Sequence, residues 1–220
     1  MRAERKSRDE EGFDWKRLRR DLGVTRVARV TGLDRGGVEV ACAVRPGGHV
    51  LQVTNGKGES FERAERGALL EAAELWCAER VEPTDLIWGS LEELAAAGFE
   101  AWGAEALGSA GRLVAPALWG EGTRLAWKAG RELFEGAEVL VPAQALHCLP
   151  AGSAALGPAL VAWSSNGMGA HPVQESALAH ALLEAVERDQ LSRALPDGWT
   201  RAAVARRLVG ADWLGRSAPQ

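Results

Sequence analysis

The segment SFERAERGALLEAAELWCAERV, residues 60–81, leaves this chain few options. Its apolar residues fall at 61, 64, 68, 72 and 75, and Leu69, Ala73 and Trp76 widen the stripe. Steps of three and four residues match the turn of an α-helix and not the alternation of a strand. Ser60 opens the segment, but Arg63 stands where a capping box needs Glu or Gln, and Pro83 follows the end. A long helix with one apolar face must lie on another layer, and the preceding sequence supplies one. VTRVARVTGL and VEVACAV flank the turn Asp34-Arg35-Gly36-Gly37, and HVLQVT follows Pro46-Gly47-Gly48. That pattern predicts a three-stranded meander running into Asn55-Gly56-Lys57-Gly58.

Further along, SLEELAAAGF begins a shorter helix, and residues 101–135 show no clear period among their Gly and Trp residues. AEVLVPAQAL is expected as a strand ending near Pro142, and ALVAWS as another. SSNGMGAHP is a loop, and residues 173–194 form the clearest helix of the C-terminal half. Pro196-Asp197-Gly198 breaks that helix, and Thr200 is placed to cap a basic amphipathic helix, RAAVARRLV, of the kind that is solvated or faces a partner. Strands come in runs separated by long helices. The expected class is therefore α/β or α+β, with long helices packed on a mostly antiparallel sheet. Residues 1–20 are expected to be a charged tail or short helix, followed by one domain over 21–220.

Composition narrows the function classes. A formal net charge of -4 gives no electrostatic footprint for a nucleic-acid partner. Cys42, Cys77 and Cys148 are odd in number, widely spaced and without a C-x-x-C, so they signal neither a zinc site nor a disulfide framework. They are expected to be small buried apolar groups. The mixed-charge start MRAERKSRDEEGFDW lacks the apolar region of a secretory signal, and no apolar run approaches the roughly 18 residues of a membrane span. A cytoplasmic protein with no membrane partner is expected.

The chemistry is carried by a repeat. ALLEAAELW at 68–76 and ALLEAVERD at 181–189 share their first seven letters except at Ala73 and Val186. On helices, Glu71 with Glu74 and Glu184 with Glu187 stand about 60° apart, so each pair is side by side at the edge of a packing face. A solvated face explains one such pair taken alone. Two pairs facing each other and partly desolvated would need a compensating cation. Mg2+, which takes carboxylate and phosphate oxygens, suits that environment and would bridge a nucleotide triphosphate. Lys57, in Asn-Gly-Lys-Gly between the third strand and the helix, suits a phosphate, although the segment is not a Walker A loop and an ordinary turn reads the same way. His180 lies four residues before Glu184, a helix-face spacing, whereas His49, His147, His171 and His180 together show no metal spacing.

Four blocks taken in order resemble the YcaO family. RVTGLDRGGVEVACAVRP at 29–46 is similar to that family's opening hairpin. VTNGKGESFERAERGALLEAAELWCAE at 53–79 is similar to its S-x-G-K-G segment and S-x-x-x-E-x-x-E helix. WKAGRELFEGAEVLVP at 127–142 resembles its W-x-x-G-x-D-L connector, and SSNGMGAHPVQESALAHALLEAVERD at 164–189 its S-N-G loop and E-x-x-E-R-D helix.

The resemblance implies a protein that binds ATP and Mg2+ and phosphorylates a peptide-bond oxygen after a nucleophile has attacked the amide carbon. A side-chain nucleophile gives an azoline ring, and a sulfide source gives a thioamide. It implies a peptide or protein substrate, commonly brought by a separate delivery or sulfur-supplying partner, and a homodimer is compatible with it. By position it makes Glu71, Glu74, Glu184 and Glu187 metal and phosphate ligands. Lys57 and Arg188 become phosphate-facing cations, and Thr54 and Asn166 nucleotide-site residues.

The chain departs from the family pattern at Gly67, where a serine opens S-x-x-x-E-x-x-E, and at Ser176, where an acid precedes Glu184 by eight residues. Pro172 stands where Asn often follows the S-N-G-x-x-x-G loop, and Cys77 where His is common. Family catalytic domains also continue well past E-R-D. The alternative expectation is therefore a non-catalytic or degenerate relative that binds a partner protein or precursor peptide, or one half of a split enzyme.

Overall fold

The computed structural model describes residues 12–33, 37–109, 112–195, 198 and 200. The tip of the Asp34–Gly37 turn, most of the charged N-terminal tail and the basic segment after Thr200 lie outside the described residues. Two compact units are formed, one from Met1–Glu74 with Asn166–Gln220 and the other from Leu75–Ser165.

In the first unit, helix α1 (Trp15–Asp21) starts where the Asp14 carboxylate accepts the Arg17 N–H at 2.8 Å. Strands β1 (Arg26–Arg29), β2 (Glu39–Val44) and β3 (Val53–Gly58) form the expected antiparallel meander in the order β1-β2-β3. Its register pairs Ala43 with Thr54, Ala41 with Gly56 and Val40 with Lys57. The third strand starts later than HVLQVT suggested, and Asn55-Gly56-Lys57-Gly58 belongs to it. Lys57 is thus presented by an edge strand and not by a loop.

Helix α2 (Phe61–Glu79) lies against that strand. A Cβ on Gly56 would stand 1.9 Å from the Ala64 carbonyl oxygen and 2.3 Å from the Ala68 nitrogen. Strand and helix therefore meet backbone to backbone, a distance only glycine permits. Ala41, Ala43, Ala64, Ala68 and Ala72 complete a core of small residues. The last long helix, α6 (Gln174–Ala194), has no buried residue among those described.

The second unit is built on size. Strands β4 (Ile87–Gly89), β5 (Leu125–Arg131) and β6 (Glu138–Pro142) form another antiparallel sheet in the order β4-β5-β6. Helices α3 (Leu91–Ala96), α4 (Ala104–Ser109) and α5 (Ala143–Leu146) accompany it. Ser90 and Glu93 close a full capping box on α3. Trp127 is fully buried among Leu94, Trp119, Leu125, Leu140 and Leu160, and its indole N–H donates to the Gly89 carbonyl at 2.9 Å.

The class is α+β with antiparallel pairing throughout the described strands, as expected. ALVAWS, however, is not a strand and makes only one isolated bridge, Val161 to Leu113. The reason is a side chain: Gln144 Oε1 accepts the N–H groups of Leu160 and Val161 at 3.0 and 3.1 Å, taking the place of a ladder partner. The cysteines also differ from expectation, since Cys42 and Cys148 are half-buried and Cys77 is exposed.

Candidate functional site

In the first unit, β3, α2, the loop before α6 and α6 itself enclose a cavity of about 390 Å3. Its charged and polar lining includes Lys57 from β3, Glu71 and Glu74 from α2, His171 from the loop, and Ser176, His180 and Glu184 from α6. Gly67, Leu70, Glu71 and Glu74 recur at three- and four-residue steps on α2. Ser176, His180 and Glu184 recur at four on α6. Each set is therefore one helical face.

The carboxylates are held individually. Glu71 Oε2 accepts the backbone N–H of Asn55 at 2.8 Å, so the helix satisfies a donor of the edge strand. Glu74 Oε1 accepts the backbone N–H of Ala170 at 3.0 Å and ties down the loop. Gly169 lets that loop lie on α6, because a Cβ there would stand 2.4 Å from the Ala177 carbonyl oxygen. Glu184 pairs with Arg188 one turn on, at 2.7 and 3.1 Å. Burial pushes the Glu74 carboxyl above its usual range, and Glu184 and Glu71 push the same way, whereas the Ala170 N–H and His180 oppose them. Half-buried and beside like charges, the Glu74 carboxylate is short of positive charge.

Of the residues singled out by sequence, Lys57, Glu71, Glu74 and Glu184 meet in this cavity. Glu187 and Arg188 are exposed and lie outside its lining, Arg188 reaching it only through Glu184. Thr54 is buried beneath the cavity wall, where its hydroxyl donates to the Ala68 carbonyl at 2.8 Å, a bond that locks β3 to α2. Asn166 is exposed in the turn that opens the loop and does not line the cavity. Ser176, not Glu175, faces the cavity, so the start of α6 is not shifted to restore an acid.

His171 and His180 also line the cavity, and the sequence alone assigns neither of them a role. For His180 the signal was present: its spacing of four from Glu184 already placed it on the same face. His171 carries no period, and only the loop geometry brings it in.

No group of three or more His, Cys, Asp or Glu side chains among the described residues is gathered closely enough to hold a metal ion by itself. The donor set nevertheless fits Mg2+, which takes one or two carboxylates and completes its octahedron with phosphate oxygens and water. Glu74, crowded by Glu71 and Glu184, is the group that gains most from such an ion.

The family pattern described as YcaO cyclodehydratase, ATP- and Mg2+-binding, matches residues 55–213. The chain belongs to the YcaO family. It is 33% identical over 171 residues to a protein of the tfuA 3' region in Rhizobium leguminosarum bv. trifolii, covering 77% of this chain and 38% of that one. A Methanothermobacter thermautotrophicus protein is 29% identical, with coverage of 78% and 42%. The chain thus spans about two fifths of the length of the curated relatives it matches. Among solved structures it resembles YcaO from Methanopyrus kandleri bound with AMPPCP and Mg2+, at a TM-score of 0.57 and 26% identity, covering 80% of this chain and 41% of that one. It also shares its fold with a heterocyclase in complex with substrate and cofactor, at a TM-score of 0.58 and 18% identity, with coverage of 82% and 28%. No helix among the described residues is long and apolar enough to cross a membrane.

Proposed function

We propose that this protein binds ATP with Mg2+ in the cavity of its first unit and serves the phosphorylation of a peptide-backbone amide in a peptide or protein substrate. The observation that carries the reading is the meeting of Lys57, Glu71, Glu74 and Glu184, from three separate elements, around one cavity of about 390 Å3. A lysine and three carboxylates lining one cavity suit a phosphate chain with its metal ion better than an uncharged ligand.

Glu74 and Glu184 would hold the ion, and Lys57 would face the phosphates from the edge strand. Glu71 accepts the Asn55 N–H through Oε2. Its task is to fix the strand that carries Lys57. Arg188 holds the Glu184 carboxylate in place. When bound, ATP supplies the phosphoryl group that captures the amide oxygen, with ADP as its leaving group, and Mg2+ offsets the charge on carboxylates and phosphates. The chain's residues contribute position and charge, which is most of what phosphoryl transfer needs. The family match and the AMPPCP- and Mg2+-bound relative support this reading. The modification would be an azoline or a thioamide, with a separate partner delivering the peptide or the sulfur.

A second reading is a non-catalytic or degenerate subunit that binds a partner or precursor peptide. Two observations favour it: Ser176 faces the cavity in place of an acid, and Leu178, Leu182, Leu183 and Val186 of α6 are exposed.

Calorimetric titration with ATP, with and without Mg2+, tests the first reading on the wild type and on Glu184→Gln. Binding that requires Mg2+ and weakens at least tenfold in the variant is expected. Binding indifferent to both, or none, removes the reading. ADP release on adding candidate peptides then separates enzyme from binder.

A further inference from the structure

Strand β3 is an edge strand, and its register fixes which of its backbone groups face outward. The Arg45 N–H donates to the Gln52 carbonyl at 2.7 Å. Continued along the same register, the backbone groups of Thr54, Gly56 and Gly58 face β2, and those of Val53, Asn55 and Lys57 face away from it. Val40, opposite Lys57, agrees. Its carbonyl accepts the Val30 N–H and its own N–H donates to the Thr31 hydroxyl, both toward β1.

Asn55 and Lys57 are thus two outward donors beside α2, and the helix treats them differently. The first is capped, since Glu71 Oε2 accepts the Asn55 N–H at 2.8 Å. Two residues on along the strand is one turn back along the helix, and there stands Gly67. A Cβ on Gly67 would lie 3.9 Å from the Lys57 nitrogen and 3.4 Å from the Gly56 Cα. Glycine has no acceptor to offer, and the serine of the YcaO pattern is absent from this position. Asn55, Lys57, Gly67 and Glu71 all line the cavity. The bare position on α2 therefore opens the Lys57 N–H to whatever fills it.

A main-chain N–H held in a sheet suits a phosphate oxygen. It is oriented before the ligand arrives, it has no rotamers to lose, and a charged acceptor strengthens its bond. We propose that the Lys57 backbone N–H, uncapped because residue 67 is glycine, donates to a phosphate oxygen of the bound nucleotide. The inference rests on the nucleotide reading above and adds to it a donor separate from the Lys57 ammonium.

The test is amide hydrogen exchange on the whole chain, read residue by residue by nuclear magnetic resonance, without ligand and with Mg2+ and AMPPCP. Without ligand the Lys57 amide should exchange roughly tenfold faster than the capped Asn55 amide. With ligand it should slow by roughly tenfold, and by more than the Val53 amide, which also faces outward but does not line the cavity. An ester in place of the peptide bond between Gly56 and Lys57 removes this N–H and keeps the ammonium. AMPPCP affinity should then fall on the order of tenfold. Lys57→Met does the reverse, and at saturating AMPPCP its residue-57 amide should still be protected. A Lys57 amide as protected as that of Asn55 in the free protein, one that AMPPCP leaves unprotected, or an ester that binds like the wild type overturns this inference and leaves the nucleotide reading standing. A wild type that binds no nucleotide overturns both.

Discussion

The two units solve the problem of burial in opposite ways. In the second, large side chains fill the interior: Trp127, Leu125 and Leu160 are fully buried around one another. In the first, the buried positions are mainly alanines, with Gly56 lying directly on the backbone of α2. Large cores gain stability by removing apolar area from water. A small-residue core gains less from area and depends on closeness, because dispersion falls off within an ångström. What the first unit obtains in return is position. With strand and helix this close, Lys57 from β3 and Glu71 and Glu74 from α2 are brought to one cavity. The cavity adjoins the close approach of Gly56 to the backbone of α2.

If that contrast is right, the units break under opposite substitutions. Adding a methyl should be worst in the first. Gly56→Ala drives a Cβ into the Ala64 carbonyl and the Ala68 N–H, and backbone cannot swing aside as a side chain would. We expect a loss above about 4 kcal/mol, at the exceptional end for a single substitution, with hydrogen exchange lost over β3 and the first half of α2. A variant that melts like the wild type would sink the close-packing account. Removing atoms should be worst in the second unit. Trp127→Ala leaves a large cavity and strands the Gly89 carbonyl, at about 3 to 4 kcal/mol by urea unfolding.

The same contrast explains what could be read from the sequence. Helices α2 and α6 were legible because their apolar and acidic residues recur at three and four. Strands β1, β2 and β6 were legible from their Val-rich runs. β3 was misplaced because a strand reading Thr-Asn-Gly-Lys-Gly has no side-chain alternation to show. Its pairing is set by the backbone register with β2 and by the helix above it. β5 escaped because three buried residues in a row, Leu125, Ala126 and Trp127, give no period of two. The false strand at ALVAWS failed on a partner far along the chain, the Gln144 amide.

In the cavity lining, Glu71, Glu74 and Glu184 come from the repeated Glu-x-x-Glu. Glu187, from the same repeat, is not part of the lining. A step of three falls 60° short of a full turn, and the lining of α6 follows the four-residue row 176, 180, 184, so Glu187 turns out of it.

A smaller effect tests the bond that joins strand and helix. Thr54→Val keeps shape and removes the hydroxyl donor to the Ala68 carbonyl. A loss of about 1 to 2 kcal/mol is expected, with weaker nucleotide binding as a consequence of a shifted Lys57. If stability falls and binding does not, β3 is held on α2 by something other than this bond.

The smallest effect has the opposite sign. Glu74→Gln keeps an oxygen for the Ala170 N–H but removes a charge that burial, Glu184 and Glu71 all disfavour. Because its folded pKa is raised, Glu74 contributes most to stability below the ordinary glutamate value near 4.5, and that contribution is lost as pH rises through the folded value. The variant should therefore melt about 2 °C higher than wild type near pH 7.5 without Mg2+, and the gap should close below pH 4.5. The gain is modest because the carboxylate keeps contact with water. On adding Mg2+ and ATP the order should reverse, since only the wild type can turn the unfavourable charge into a ligand. A variant less stable than wild type at neutral pH without the ion would mean that the Glu74 charge serves the fold and not the site. The division between a unit built for burial and a unit built for position would then lose its main support.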